Sequence, residues 1–316
     1  MIIDIHAHAI DPYVLNLARN RVVVTGFGER PMGPRDSDGT MTDPEVQIAH
    51  MDSRGIDMHV LSLPGVISGT SWADARTDLE LCQRVNNTIA GWVRAHPKRF
   101  AGTYVLPLQD LHLALPEAQR CVEELGLNVA NLPANIDGIY LGDFRLRPLW
   151  DGLRTLKSVA WIHPDGVKDA WFQRYALWNS LGQSIEEAKV MASLMYEGVF
   201  DQYPDVPIII AHGGGYFPHY MGRLDRNVTN MPHSMANISK PPSQYLRSVY
   251  YDTCVYDPDV LGVLAQRVGA DRLIMGSDYP VNMLNPLDFL KTSGKLADAE
   301  IPAVAGTTLA GLLKLA

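Results

Sequence analysis

The chain has 316 residues, of which 47% are hydrophobic, enough to bury a large core in one domain or two. Its 35 acidic against 27 basic side chains give a formal net charge of -8. That balance excludes a general nucleic-acid or anionic-membrane surface, yet leaves room for a small anionic substrate held by one or two arginines. The opening MIIDIHAHAI lacks the basic leader of a signal peptide, and no run approaches the ~20 apolar residues of a membrane span, so a soluble cytoplasmic protein is expected.

Along the chain, short β-rich apolar runs alternate with longer amphipathic segments, the rhythm of an α/β protein. Strands are expected at residues 2–6, 56–63, 100–106, 127–132, 158–163, 206–212, 248–253 and 272–277. Helical patterns fall between them at 43–54, 73–95, 111–125, 144–156, 184–201, 217–229 and 257–268. The first of these opens with Thr42, Pro44 and Glu45, which read as a T-x-x-E capping box with proline in the first turn. Eight strands interleaved with helices fit a distorted (β/α)8 TIM barrel, one domain over residues 1–316, with the extra length in loops above the C-terminal face. A doubly wound open sheet is disfavoured because no Gly-rich phosphate loop follows any strand.

Two connections exceed what such units need. Residues 11–41 are rich in Gly, Pro and charge; residues 164–183 carry Trp171, Phe172, Tyr175 and Trp178, an aromatic loop suited to cover a site and equally to cap the barrel or pack on a partner. Cys82, Cys121 and Cys254 are widely spaced with no C-x-x-C pattern and read as buried free thiols.

The chemistry concentrates at strand ends. Four of the ten histidines, His6, His8, His163 and His212, fall at the C-terminal ends of the first, fifth and sixth expected strands, the face on which barrel enzymes carry their sites. In D-I-H-A-H the two imidazoles are two residues apart and project to one side of an extended chain. Asp278 follows the apolar run LIMGS, where an unpaired carboxylate is costly to bury and a cation removes the cost. Any one of these histidines alone reads as a hydrogen-bonded core imidazole. Together with Asp278 they point to a divalent ion, zinc by donor type, with manganese or iron compatible. Such an ion activates water or polarises a substrate oxygen, and His212 is suited to take or give the proton.

The segments MIIDIHAH, WIHP, AHGGG with a downstream G-R, and MGSDYP resemble the amidohydrolase superfamily. DPEVQIAHMDSRGID, RCVEELG and AGTTLAGLLKL extend the resemblance over nearly the whole chain, most closely to the branch of aromatic-acid decarboxylases that includes 2-amino-3-carboxymuconate-6-semialdehyde decarboxylase. The resemblance implies one zinc ion on His6, His8, His163 and Asp278, with His212 as catalytic base and Asp278 also in the catalytic set. No lysine ends the fourth strand, LNVANLPAN, so the bridging lysine of binuclear members is absent. The resemblance further implies that Arg223, eleven residues after His212, binds the substrate carboxylate in the neighbouring subunit of a homodimer. Ungapped counting gives Arg35 as a second substrate arginine, though its surroundings differ from the family pattern, and the aromatic loop offers Trp178. Val281 stands where the decarboxylase has phenylalanine.

The expected activity is decarboxylation of a small carboxylated aromatic or dienoic acid. Hydrolysis of a lactone, amide or C–C bond, or hydration, would use the same site. A catalytically silent barrel would have lost at least one of the five residues, and a phosphoesterase would need further His or Glu ligands at the strand ends.

Overall fold

The computed structural model describes residues 1–25, 28–31, 36, 38–64, 72–167, 169–282 and 284–315. Eight parallel strands lie side by side in chain order: β1 (Ile3–His8), β2 (Met58–Ser62), β3 (Phe100–Tyr104), β4 (Val129–Leu132), β5 (Val159–Ile162), β6 (Ile208–Ile210), β7 (Tyr250–Asp252) and β8 (Leu273–Ile274). The ring is brought nearly to closure where the Ile5 N–H donates to the Met275 carbonyl at 3.1 Å and Ala7 pairs with Tyr279. This is the (β/α)8 barrel that the alternation of segments predicts.

The strands' inner faces form one apolar plug of Ile3, Ile5, Val60, Val129, Val159, Trp161, Ile209 and Ile274, joined from below by Leu309 and Leu313 of the C-terminal helix Thr308–Leu313. The outer faces pack on the helices in a second, larger core. Because side chains alternate along a strand, the inward series Val159, Trp161 continues to His163, and Ile274 continues through Gly276 to Asp278. β1 departs from that rule: Ile5 and His6 both face inward, because the pairing with β2 slips between Asp4 and Ala7. Such a bulge bends the strand and re-aims its side chains. Gly276 is required by close approach, since a Cβ there would lie 3.0 Å from that of His6 and 3.1 Å from the Cys254 sulfur.

The helices are α1 (Pro12–Arg19), α2 (Pro44–Arg54), α3 (Ala75–Ala95), α4 (Leu111–Glu123), α5 (Arg147–Leu156), α6 (Leu181–Tyr196), α7 (Val199–Gln202), α8 (Met221–Asn230), α9 (Pro258–Val268), α10 (Pro286–Thr292) and α11 (Thr308–Leu313). Aspartate or asparagine caps α1, α2, α3, α4, α9 and α10 by accepting from amides in the first turn. The cap of α2 corrects the expected capping box: Asp43 accepts from the Glu45 N–H at 2.9 Å, while the Thr42 hydroxyl turns away to Asp36 at 2.6 Å. The D-P pair outcompetes threonine because Pro44 fixes the first helical residue next to a stronger acceptor.

The long connection at 11–41 holds structure of its own, α1 and a hairpin of Val22–Thr25 with Gly28–Pro31. The expected helix 184–201 is divided at Gly198, whose φ of 81° ends α6 before α7 begins. Cys82, Cys121 and Cys254 are free and buried, as read from their spacing. Among the described residues no helix is long and apolar enough to cross a membrane.

Candidate metal centre and cavity

His6, His8, His163, His212 and Asp278 meet above the apolar plug at the C-terminal end of the barrel. The His6 ring centroid lies 5.1 Å from His8, 4.9 Å from His163 and 5.1 Å from His212, and its face sits edge-on to the Trp161 indole at 5.1 Å. Asp278 Oδ1 approaches His6 Nε2 at 3.2 Å and His8 Nε2 at 3.1 Å, while its Oδ2 is 3.8 Å from His212 Nε2. One ligand atom each from His6, His163, His212 and Asp278 falls within 4.8 Å of all the others. His8 joins this set through the same Asp278 oxygen that faces His6.

Several polar atoms here have no hydrogen-bond partner among the described residues: His6 Nε2, and both ring nitrogens of His163. Buried polar groups are ordinarily paired, so unmatched nitrogens on two rings beside a carboxylate, each ring able to turn one of them inward, describe a set of donors suited to a cation. The surroundings fix which nitrogen each ring presents. Asp252, at the end of β7, takes His6 Nδ1 at 2.7 Å, leaving Nε2 to face inward. Ser62 gives its hydroxyl proton to the Ala7 carbonyl at 3.2 Å and thus accepts from His8 Nδ1 at 3.3 Å, which again frees Nε2.

His212 is held differently. Its Nδ1 bonds the Glu187 carboxylate, which arrives fully buried from α6. Gly215 makes room for that approach: its φ is +59°, and a Cβ there would collide with the Ser184 carbonyl and lie 2.8 Å from the Glu187 oxygen. His212, Tyr256 and Asp278 themselves take positive φ values of 49°, 56° and 63°, a conformation uncommon for residues with a Cβ and concentrated at functional sites.

The charges are strongly coupled. Burial opposes a charged His6, yet Asp278 and Asp252 outweigh it and push its pKa up to about 9. His163, with burial and the neighbouring His6 and His212 against it, is held well below the ordinary histidine value. Burial lowers His8 as well. For His212 burial is overcome by Glu187 and Asp278, which raise it well above the usual value, whereas burial pushes Glu187 up to about 7 in spite of that partner. Against its own burial, Asp278 is kept well below the carboxylate range by the neighbouring His6, His212 and His8 rings.

A cavity of about 760 Å³ opens over this cluster, with His212, Tyr256, Cys254 and Asp278 on its floor. The Tyr256 hydroxyl donates to Asp278 Oδ2 at 3.1 Å. Asn179, Ser180 and Gln183 supply neutral polar groups on one wall, and Val255, Val260 and Val281 an apolar one.

Of the three expected substrate contacts, two lie away from this cavity and one is outside the described residues. Trp178 is half-buried with its indole against Gly166 and does not line this cavity, whereas its neighbours Asn179 and Ser180 do. Arg223 is exposed on α8, and Arg35 lies outside the described residues. Sequence reading missed Glu187, Asp252 and Tyr256. Asp252 had a signal, an acid ending an apolar strand in S-V-Y-Y-D-T like Asp278 in L-I-M-G-S-D. Glu187 had none, since E-E-A-K on an amphipathic helix is also the pattern of a solvated face.

A family model described as amidohydrolase matches residues 3–308. The chain is 32% identical over 249 residues to 2-amino-3-carboxymuconate-6-semialdehyde decarboxylase of Dictyostelium discoideum, covering 78% of this chain and 69% of that protein. It is 26% identical to 2-keto-4-carboxy-3-hexenedioate hydratase of a Sphingobium strain, over 88% of this chain and 83% of that one. Among solved structures, a variant 5-carboxyvanillate decarboxylase from Novosphingobium aromaticivorans, with bound manganese and a nitrobenzoic acid, superposes with a TM-score of 0.85 at 23% identity, covering 100% of this chain and 97% of that one.

Proposed function

The chain belongs to the amidohydrolase family, and from that premise we propose that it is a metal-dependent decarboxylase of a small carboxylated aromatic or dienoic acid. The observation that carries the reading is the set of ring nitrogens on His6 and His163 without hydrogen-bond partners, gathered around Asp278, which itself lines a cavity large enough for such an acid. His6, His8, His163 and Asp278 would hold one divalent ion, zinc by donor type, with manganese, the ion in the solved neighbour, as the alternative. When bound, the ion supplies Lewis acidity and brings the pKa of water toward neutrality.

The chain's own residues do the rest. Glu187 fixes the proton on His212 Nδ1, so that Nε2 faces the cavity and exchanges a proton with whatever lies there. Loss of carbon dioxide leaves an electron pair on carbon, which must be protonated. His212 Nε2, with its ring kept protonated by Glu187 and Asp278, is placed to deliver that proton, and the Asp278 carboxylate, its Oδ2 3.8 Å away, stabilises the charged ring. Tyr256 holds Asp278 Oδ2 from the other side. The apolar wall accommodates a flat ring, and Asn179, Ser180 and Gln183 orient its neutral substituents.

The carboxylate is to be gripped by Arg223 of a second copy in a homodimer. Exposed Arg223 beside Tyr220, itself 67% exposed, supports that reading. Arg35 and Trp178 are retained as further substrate contacts, and the protein is read as cytoplasmic, with one catalytic domain across the chain.

The test is to supply the zinc- and manganese-loaded protein with hydroxybenzoates, carboxymuconates and related dienoic acids, and to follow carbon dioxide. Its release from one class, lost in His212→Ala, is the expected result. Water addition or ring opening without carbon dioxide would instead favour the hydratase or hydrolase reading, which the similarity to a hydratase keeps in view.

A further inference from the structure

Behind the site, on the side of β1 away from the cavity, lies a second buried polar group that touches no cavity wall. Asp4 Oδ1 accepts the backbone N–H of His6 at 2.9 Å and that of Ser277 at 3.0 Å. Gln47, from α2, donates through its amide nitrogen to the His8 carbonyl at 2.7 Å and takes His59 Nδ1 on its amide oxygen at 3.1 Å. His59, in the middle of β2, turns its Nε2 to within 3.7 Å of Asp4 Oδ2. Asp4, Gln47 and His59 are all fully buried.

The arrangement has two hydrogen-bonded halves, His59 and Gln47 on the His8 carbonyl and Asp4 on the amides of His6 and Ser277, which face each other where His59 Nε2 and Asp4 Oδ2 stand 3.7 Å apart without a hydrogen bond. Both ends of the H-x-H segment, and the residue before Asp278, are thus each held by one of two adjoining buried side-chain groups. These are also the positions where the backbone leaves regular pairing, at the β1 slip and at the positive φ of Asp278. A buried polar network costs desolvation unless each member is satisfied, and the same volume filled with apolar side chains would pack as well. What apolar packing lacks is direction, because only a hydrogen-bonded contact fixes a backbone amide to within tenths of an ångström.

We propose that Asp4, Gln47 and His59 form a positioning clamp that sets His6, His8 and Asp278 at the spacing one divalent ion requires. The proposal rests on the metal-centre reading above. The orientation of each group follows from its partners. Gln47 must present N–H to the His8 carbonyl, so its oxygen faces His59 and His59 carries hydrogen on Nδ1. His59 Nε2 then looks for a donor on the side of Asp4. Asp4→Asn is therefore a rescuing change: it keeps an oxygen for the two amides and offers N–H to His59. Gln47→Met and Asp4→Leu keep bulk and burial but remove the bonds.

The experiment titrates Mn²⁺ into ion-free wild type and these variants against a competing chelator, and records Co²⁺ electronic spectra as a measure of ligand geometry. Expected are affinities weakened about 10–100-fold with shifted Co²⁺ bands in Gln47→Met and Asp4→Leu, and near-wild-type values in Asp4→Asn. Wild-type affinity and spectra in Gln47→Met overturn the clamp, and that variant carries the test should Asp4→Leu fail to fold. Wild type that binds neither Mn²⁺ nor Co²⁺ overturns the metal-centre reading instead. The clamp is then judged on ion-free protein by the imidazole ¹⁵N resonances of His6 and His8: displaced in Gln47→Met they uphold it, unmoved they overturn it.

Discussion

Two buried polar clusters in this barrel close in different ways. On the side wall, between α3 and α4, Glu117 accepts from Asn86 at 2.7 Å, from Arg120 at 2.8 Å and from the Cys121 thiol at 3.3 Å. Asn86 in turn takes the Val105 N–H at 2.8 Å and gives to its carbonyl at 3.0 Å. Donors and acceptors match, and the cluster fastens two helices to the end of β3. At the strand ends the count does not match: His163 presents two unpartnered nitrogens and His6 one, around a carboxylate. A cluster that completes itself is a fastener, whereas one left short of a cation is built for a ligand.

Substitutions can break this contrast. The largest effect is expected for His212→Ala, which should lower kcat by about 10²–10⁴-fold, the usual range for a lost acid/base, while the ion stays bound. Steady-state assays paired with metal analysis check it. Glu187→Gln is expected to be milder, roughly 10–100-fold in activity, because it weakens the orientation of His212 without removing the ring. Rates that match wild type would remove Glu187 from the mechanism.

On the side wall the expectation reverses. Glu117→Leu strands Arg120 and Asn86 and should cost on the order of 1–3 kcal/mol of stability in denaturant unfolding, with ion affinity untouched.

The smallest effect concerns the one loose end of that wall. Among the described residues the buried Asp78 carboxyl has the Cys82 thiol, 3.8 Å away, as its one side-chain partner, and burial pushes its pKa up to about 7 from an ordinary 3.8. The folded state therefore binds the proton more tightly than the unfolded one. The stabilisation this gives is complete below the unfolded value and is lost as pH rises through about 7. Asp78→Asn should melt a few degrees higher than wild type at pH 8, with the gap closing toward pH 4. A constant difference across that window would contradict the assignment.

How much of this was legible in the sequence follows from periodicity. All eight barrel strands lie within or overlap the apolar runs, and the period-2 rule alone carries Trp161 to His163 and Gly276 to Asp278 on the inner face. The capping aspartates were legible in principle: D-P-Y at residues 11–13 has the same form as D-P-E at 43–45, and it starts α1 inside a stretch read as loop. What stayed hidden depends on contacts between distant segments. Glu187 meets His212 only because Gly215 lets α6 close in, and mid-strand His59 carries no signal of its own because the residues it faces, Gln47 and Asp4, come from α2 and β1. The slip that turns both Ile5 and His6 inward leaves no mark in composition.

Metal analysis of the purified protein and of His163→Ala tests the central claim most directly. Neither ring nitrogen of His163 has a hydrogen-bond partner among the described residues. The account predicts about one tightly held divalent ion per chain in wild type, of the single-site kind that histidine and carboxylate donors make, and its loss in the variant with the fold retained. A wild-type chain that takes up no divalent ion, or a His163→Ala chain that keeps a full one, would contradict it.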